Sequence, residues 1–416
     1  MVIELTMSKL PFDLVLEILG LLTNDKETMS SCSLVCRDWT WHCQTSLLQS
    51  VKFLYYKPWQ TKGDLSRDVG YQLANFSFHL ATRVKHLTVQ SAYIQNYAGR
   101  LWLTPEIMEI YDNLEILTLR EIDFKPESLK PDPVRKRLAR LELQDIESMF
   151  TVMAMLSLFP TIEELRISHM RQWDDYDEEH PGGIPAQAHV YALSLHEVTK
   201  LGLLLRSLVL LIDTTKLQRY SLTISGRTVF MGPETFSPFL QYPGLNLEEL
   251  SFRAYGGERS TLDKAMDHIR HLSTLQHHTS ALRLSIYITQ PPIDTSEILQ
   301  DLDICPREIT HLSLYIAFQP DQMTLKQYPA DEFWEPLMQT LNSFPVLKYL
   351  CLTFVCWFHP RDSRISEKAE SYIWALANEA EESLTEFRSR GVLRFQYRES
   401  TNTFRFDQEE DWQSHV

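Results

Sequence analysis

Cys32, Cys36 and Cys43, with His42 beside them, are the densest group of nucleophilic or metal-ligating side chains in the sequence. A structural zinc takes four thiolate or imidazole ligands, usually in close pairs. The C-x3-C-x6-C spacing matches no such arrangement. These cysteines fall in helical stretches where small apolar side chains pack, so core packing is the expectation. Cys351 and Cys356 straddle a strand-like segment and read as free core thiols. His196-Glu197 lacks the second histidine of H-E-x-x-H, and His268 and His271 sit three apart on a helix-like stretch with no obvious carboxylate partner. There is no G-x-S-x-G, G-x-x-x-x-G-K-[ST] or G-x-G-x-x-G, and with only 13 glycines phosphate-cradling loops are not expected. The chemistry points away from catalysis: no catalytic residue, metal or cofactor is expected, and the chain reads as one that works by binding.

Charge narrows what it binds. The 40 basic and 55 acidic residues give a formal charge of −15. A general nucleic-acid binder needs a basic face to displace counterions, so neither nucleic acid nor an anionic membrane is an expected partner. The one basic cluster, Arg135-Lys136-Arg137 with Arg140, reads as a solvated helix start in preference to a nuclear-import signal. The acidic run Asp174, Asp175, Asp177, Glu178 and Glu179 precedes Pro181-Gly182-Gly183 and reads as an exposed loop. The first residues lack a basic-then-apolar leader, and the longest apolar stretch, 201–212, is interrupted by Arg206 and too short to span a bilayer. Six cysteines in 416 residues make no disulfide framework. The expected location is intracellular, cytoplasmic or nuclear.

The elements that position these residues begin with helices. Leu14, Val15, Ile18, Leu19 and Leu22 form one wide apolar stripe, and Pro11 suits the first turn. The polar run 23–26 ends that helix, and a second helical stretch follows from Glu27 to Leu48. From residue 84 a phrase recurs: apolar, two variable residues, Leu in most copies, one variable residue, apolar. Its ten copies start at 84, 114, 138, 162, 190, 217, 247, 281, 309 and 347. Recurrence at 24 to 38 residues signals a repeat array. Each phrase ends in period-two alternation, as a strand with one buried face requires. Helix-like stretches at 147–159, 263–276 and 333–344 lie between phrases, and Phe159-Pro160, Tyr242-Pro243 and Phe344-Pro345 lead into three of them. Residues 366–390 read as one long helix, and VLRFQY with NTFRF as a hairpin-like pair.

Residues 9–53 closely resemble the F-box. The match runs through Leu10, Pro11, Asp13, Leu14, Leu16, Ile18, Leu19 and Leu22 to the Leu34-Val35-Cys36-Arg37-x-Trp39 signature. Cys43-Gln44, Leu47-Leu48 and Val51-Lys52-Phe53 look like fungal members in particular. Val15, Met29 and Gly20 depart mildly from the pattern. The resemblance implies docking on a Skp-family adaptor, which bridges to a cullin scaffold, while the C-terminal domain holds a protein substrate for ubiquitination by proximity. Leucine-rich repeats are a familiar partner domain of F-boxes. The alternative implied function is an F-box scaffold or regulator acting outside a ligase.

The expected architecture is α+β overall. A small all-α F-box spans 7–53, a connecting segment 54–83, an α/β leucine-rich-repeat-like solenoid 84–395 and an acidic tail 396–416. Leu10, Pro11, Ile18, Leu22, Val35 and Trp39 are expected at the adaptor contact. Leu14 and Leu34 are candidates for the same contact, and like Leu19 suit the F-box core equally. In each phrase the fixed apolar positions point inward, so the intervening ones line the opposite sheet face, which in leucine-rich-repeat proteins commonly binds partners. Arg140, Arg166, Arg219, Arg253 and Arg283 thread that face as substrate-binding candidates. They either meet an acidic or phosphorylated segment or pair with Glu142, Glu164 and Glu249 across neighbouring strands.

Overall fold

In a computed structural model, the described residues are 12–22, 25–56, 78–92, 101–103, 110–124, 137–146, 148–170, 187–224, 249–255, 281–288, 302–303, 307, 309–318, 330–358 and 367–401. The chain forms two compact units, Met1–His189 and Val190–Val416. Both mix helices with parallel strands.

The first unit opens with three helices, α1 (Phe12–Leu21), α2 (Lys26–Cys32) and α3 (Arg37–Leu48). The single helical stretch expected over 27–48 is thus two helices. Asp25 caps α2, its carboxylate accepting from the Thr28 N–H at 3.0 Å. Ser33 Oγ donates to the Ser30 carbonyl at the end of that helix, and Cys36 is extended (φ −157°) before α3 begins. The three helices close on a small core of Val15, Leu19, Met29 and Cys43, with Leu22, Cys32, Trp39 and Leu47 packed around it.

Strand β1 (Ser50–Tyr56) follows α3 directly. After helix α4 (Phe78–Ala81) come β2 (His86–Ala92), β3 (Leu101–Leu103), β4 (Ile116–Arg120), β5 (Ile122–Phe124), β6 (Arg137–Gln144), helix α5 (Met149–Leu158) and β7 (Thr161–Ser168). Strands β1, β2, β4, β6 and β7 pair in that order, all parallel, while β3 pairs with β5. Arg137 therefore sits on a strand, where the basic cluster suggested a helix start, and Arg140 lies on the strand its phrase predicts. Successive parallel strands need a crossover connection, and α5 is the helix that carries it from β6 to β7. One register row, Leu87, Leu117, Leu141 and Leu165, and a second, Val89, Leu119, Leu143 and Ile167, are buried. The leading phrase positions Val84, Leu114, Leu138 and Ile162 are buried as well.

The second unit holds β8 (His189–His196), α6 (Leu201–Leu211), β9 (Arg219–Ile224), β10 (Glu249–Tyr255), β11 (Ala281–Ile288) and β12 (His311–Phe318). Helix α7 (Ala330–Leu341), β13 (Tyr349–Phe358), α8 (Glu367–Ser383), α9 (Thr385–Ser389) and β14 (Leu393–Thr401) complete it. Its seven strands again pair in chain order as a parallel sheet. Helix α6 buries seven of its eleven residues because it is apolar almost all round. The long helix expected over 366–390 breaks at buried Leu384, whose neighbour Phe387 is also buried. Leu393–Thr401 runs parallel to β13, and NTFRF lies outside the described residues, as do 263–276 and Tyr242-Pro243.

The last four residues of each of the ten phrases lie on a strand. A turn recurs with them. Glu121, Asp145, His169 and Glu197 each follow a strand end with positive φ (57°, 53°, 53° and 49°). Ile122, Ile146, Met170 and Val198, the next residues, are buried. The left-handed residue turns the chain so that an apolar side chain re-enters the core one position later.

Among the described residues no helix is long and apolar enough to cross a membrane.

Candidate protein-interaction sites

The three N-terminal helices sort their apolar residues by burial. Val15, Leu19, Met29 and Cys43 are inside. Leu14 (45% exposed), Ile18 (46%), Leu21 (86%), Leu34 (86%) and Val35 (55%) are outside. A three-helix segment of this size cannot bury all its leucines against itself. Leu34 and Val35 lie on the turn between α2 and α3, where no following helical turn covers them. Of the residues assigned to the adaptor contact, Leu14, Ile18, Leu34 and Val35 are thus on the surface. Leu22 and Trp39 are half-buried against the core cluster, and Leu10 and Pro11 lie outside the described residues. Leu21 is a surface residue that sequence reasoning missed, although its place at the end of α1, next to a polar run, left it nothing to pack on. Burial pushes the Cys43 thiol up, and the nearby Cys32 and Cys36 add to the shift. Cys43 is accordingly a protonated core thiol.

Where α3 meets the sheet, a cleft of about 670 Å³ is lined by Trp41, Gln49, Arg83, Lys85, Asp112 and Glu115, among others. The Arg83 guanidinium carbon stands 3.6 Å from the Trp41 ring centroid, a cation–π contact. The Gln49 carbonyl accepts from the N–H groups of Lys85 (2.9 Å) and His86 (2.8 Å). These contacts tie the end of α3 to the start of β2.

The second candidate surface is the outward face of the first unit's sheet. Pairing aligns it in three rows across β1, β2, β4, β6 and β7. They are Ser50–His86–Ile116–Arg140–Glu164, Lys52–Thr88–Thr118–Glu142–Arg166 and Leu54–Gln90–Arg120–Gln144–Ser168. None of these fifteen residues is buried. Arg140 Nε meets Glu164 Oε2 at 2.7 Å, and Arg166 Nε meets Glu164 Oε1 at 2.8 Å. Thr118 donates to Glu142 at 3.3 Å, and Gln144 joins Arg120 to Glu142. Glu164 thus holds two of the expected arginines side by side.

The remaining three are on strands of the second unit, on different rows. Arg219 is exposed, opposite Ala192 and Glu249. Arg253 is opposite Thr223 and Ser285, and Arg283 opposite Ser251 and His311. The β10–β11 pairing is two residues out of phase with the phrase, since Leu250 faces Leu282 and not Leu284. The face expected to stay open is also closed at β12 and β13, where Ser313, Cys351 and Thr353 are buried.

Burial pushes the Glu164 carboxyl up, but Arg166 and then Arg140 outweigh it and hold the group below the ordinary carboxylate range. A lowered folded pKa contributes stability above the unfolded value, about 4.3, and loses it as pH falls through the folded value. Glu164→Gln is therefore expected to destabilise the chain by about 1 kcal/mol near neutrality. The stability gap to wild type should narrow below about pH 4.3. Urea denaturation at a series of pH values checks this. A gap that does not change with pH contradicts it.

No family model and no curated protein matches this chain.

Proposed function

We propose that the chain is a non-enzymatic substrate receptor of a Skp–cullin–F-box ubiquitin ligase. Helices α1–α3 would dock on the Skp-family adaptor, and the polar sheet face of the first unit would hold a protein substrate. The observation that carries the reading is the set of large apolar side chains left outside by the three-helix segment, on α1 at Leu14, Ile18 and Leu21 and on the turn before α3 at Leu34 and Val35. They belong to the segment that resembles the F-box. Exposed apolar surface of this kind marks an interaction site.

The same proposal covers the architecture behind the helices, a leucine-rich-repeat-like solenoid of about ten irregular units. It is supported by strands that pair in chain order within each unit, by three buried positions in each of the eight phrases whose burial is described and by the repeated left-handed turn. An array of this kind works by display of a surface, which agrees with the sequence's lack of a catalytic constellation.

The test is solubility with and without partner. The full chain expressed alone is expected to aggregate, and co-expression with a Skp-family adaptor to give a soluble 1:1 complex. A monodisperse chain that gains nothing from the adaptor contradicts the reading.

A further inference from the structure

The three polar rows of the first unit's sheet carry Lys52, Arg120, Arg140 and Arg166 against Glu142 and Glu164. This face therefore has a net charge of +2 in a chain of −15. The cations stand on four different strands, β1, β4, β6 and β7. With strands about 4.8 Å apart, Lys52 and Arg166 at the two ends of one row are about 19 Å from each other. An extended peptide covers that span in about six residues.

We propose that this face binds an acidic segment of a partner protein, crossing the strands with two carboxylates spaced along it. The inference rests on the reading of the sheet as the substrate-holding domain, and it names the substrate's chemistry. Glu164 is its positioning residue. It joins Arg140 and Arg166 through Nε, one on each carboxylate oxygen. The Arg140 guanidinium, held through Nε, keeps its Nη edge in a fixed plane for a second acceptor, so less side-chain freedom is lost on binding. Gln144 does the same for Arg120, which it meets through Nε. The distribution of charge selects among anions. One phosphate concentrates about two charges at one point, beside Glu142 and Glu164. Two separated carboxylates match cations spread one per strand. Ser313, Cys351 and Thr353, at corresponding positions of β12 and β13, are buried, so these strands offer no comparable polar row.

The test is a random peptide library displayed on phage and panned on the immobilised full-length chain. Peptides rich in aspartate or glutamate are expected to be enriched. Binding of a synthetic enriched peptide, read by fluorescence polarisation, should weaken at least tenfold when its acidic residues become amides. The same peptide should weaken at least tenfold on Arg140→Gln/Arg166→Gln and on Lys52→Gln/Arg120→Gln. Two separate pairs guard against misfolding of either one, and unchanged thermal unfolding qualifies each. The idea is overturned by enrichment without acidic residues, by no enrichment, or by undiminished binding to folded forms of both variants. A phosphoserine version that binds more than tenfold tighter than the glutamate peptide would also overturn it, because the partner is then a phosphopeptide. Adaptor binding is read separately. Peptide binding without adaptor capture removes the ligase reading and keeps this one, and the reverse outcome does the opposite.

Discussion

Replacing Leu34 and Val35 together by aspartate is expected to abolish capture of a Skp-family adaptor and leave the chain folded. Both side chains are on the surface, Leu34 at 86% and Val35 at 55%, so the free chain loses little packing when they change. Burying an aliphatic side chain of this size contributes about 1.5–3 kcal/mol. Loss of both amounts to roughly 3–6 kcal/mol, or about two to four decades in Kd. Two carboxylates that must lose water against an apolar partner add to the effect. Leu19→Ala is the control with the opposite signature. Leu19 is buried in the helical core, so this change should destabilise the three helices and weaken capture only through unfolding. Adaptor affinity by calorimetry and helix content by circular dichroism separate the two effects. A double aspartate variant that binds like wild type would remove Leu34 and Val35 from the interface.

Leu143→Ala in β6 should cost about 2–5 kcal/mol, whereas Glu142→Ala, one residue away, should stay within about 1 kcal/mol. Leu143 lies in the buried row Val89–Leu119–Leu143–Ile167, flanked by apolar neighbours on both sides. Removing its isobutyl group leaves a cavity that strands tied into a parallel sheet cannot easily close. Glu142 faces outward and accepts from Thr118 and Gln144. Urea denaturation of both variants gives the comparison. Similar losses would mean that the alternation of faces along β6 is wrong.

The strands were legible in the sequence because three apolar positions of the phrase share one destination wherever burial is described. Val84, Leu87 and Val89 show it in the first copy, and Ile162, Leu165 and Ile167 in the fourth. Strand β1 lacks the leading leucine, and its Val51 and Phe53 look like the end of the helical segment. The β10–β11 phase was not legible for a physical reason. Leu282 and Leu284 both satisfy period-two alternation, and a slip of two residues keeps every side chain on its face. Only the pairing distinguishes them.

The candidate surfaces divide in the same way. A helical stripe states that Leu14, Ile18, Leu19 and Leu22 share a face, but not how much of that face α3 covers. Burial then separates Leu19 inside from Leu14 and Ile18 outside. On the sheet, both the arginine-to-ligand and the arginine-to-glutamate readings fit the sequence. The register puts Arg140 opposite Glu164 and Glu142 opposite Arg166, and Glu164 draws in both arginines. At Arg140, pairing with Glu164 and contact with a ligand are compatible, because the pairing uses Nε.

Co-elution with a cullin tests membership of a ligase most directly. The full-length chain, co-expressed with a Skp-family adaptor and a cullin bearing its RING subunit, would be captured through a tag on the chain and sized by light scattering. The expected result is one assembly with all four components at equal stoichiometry, lost entirely with Leu34→Asp/Val35→Asp. Capture of the adaptor without the cullin would contradict the ligase account and leave an adaptor-bound scaffold in its place.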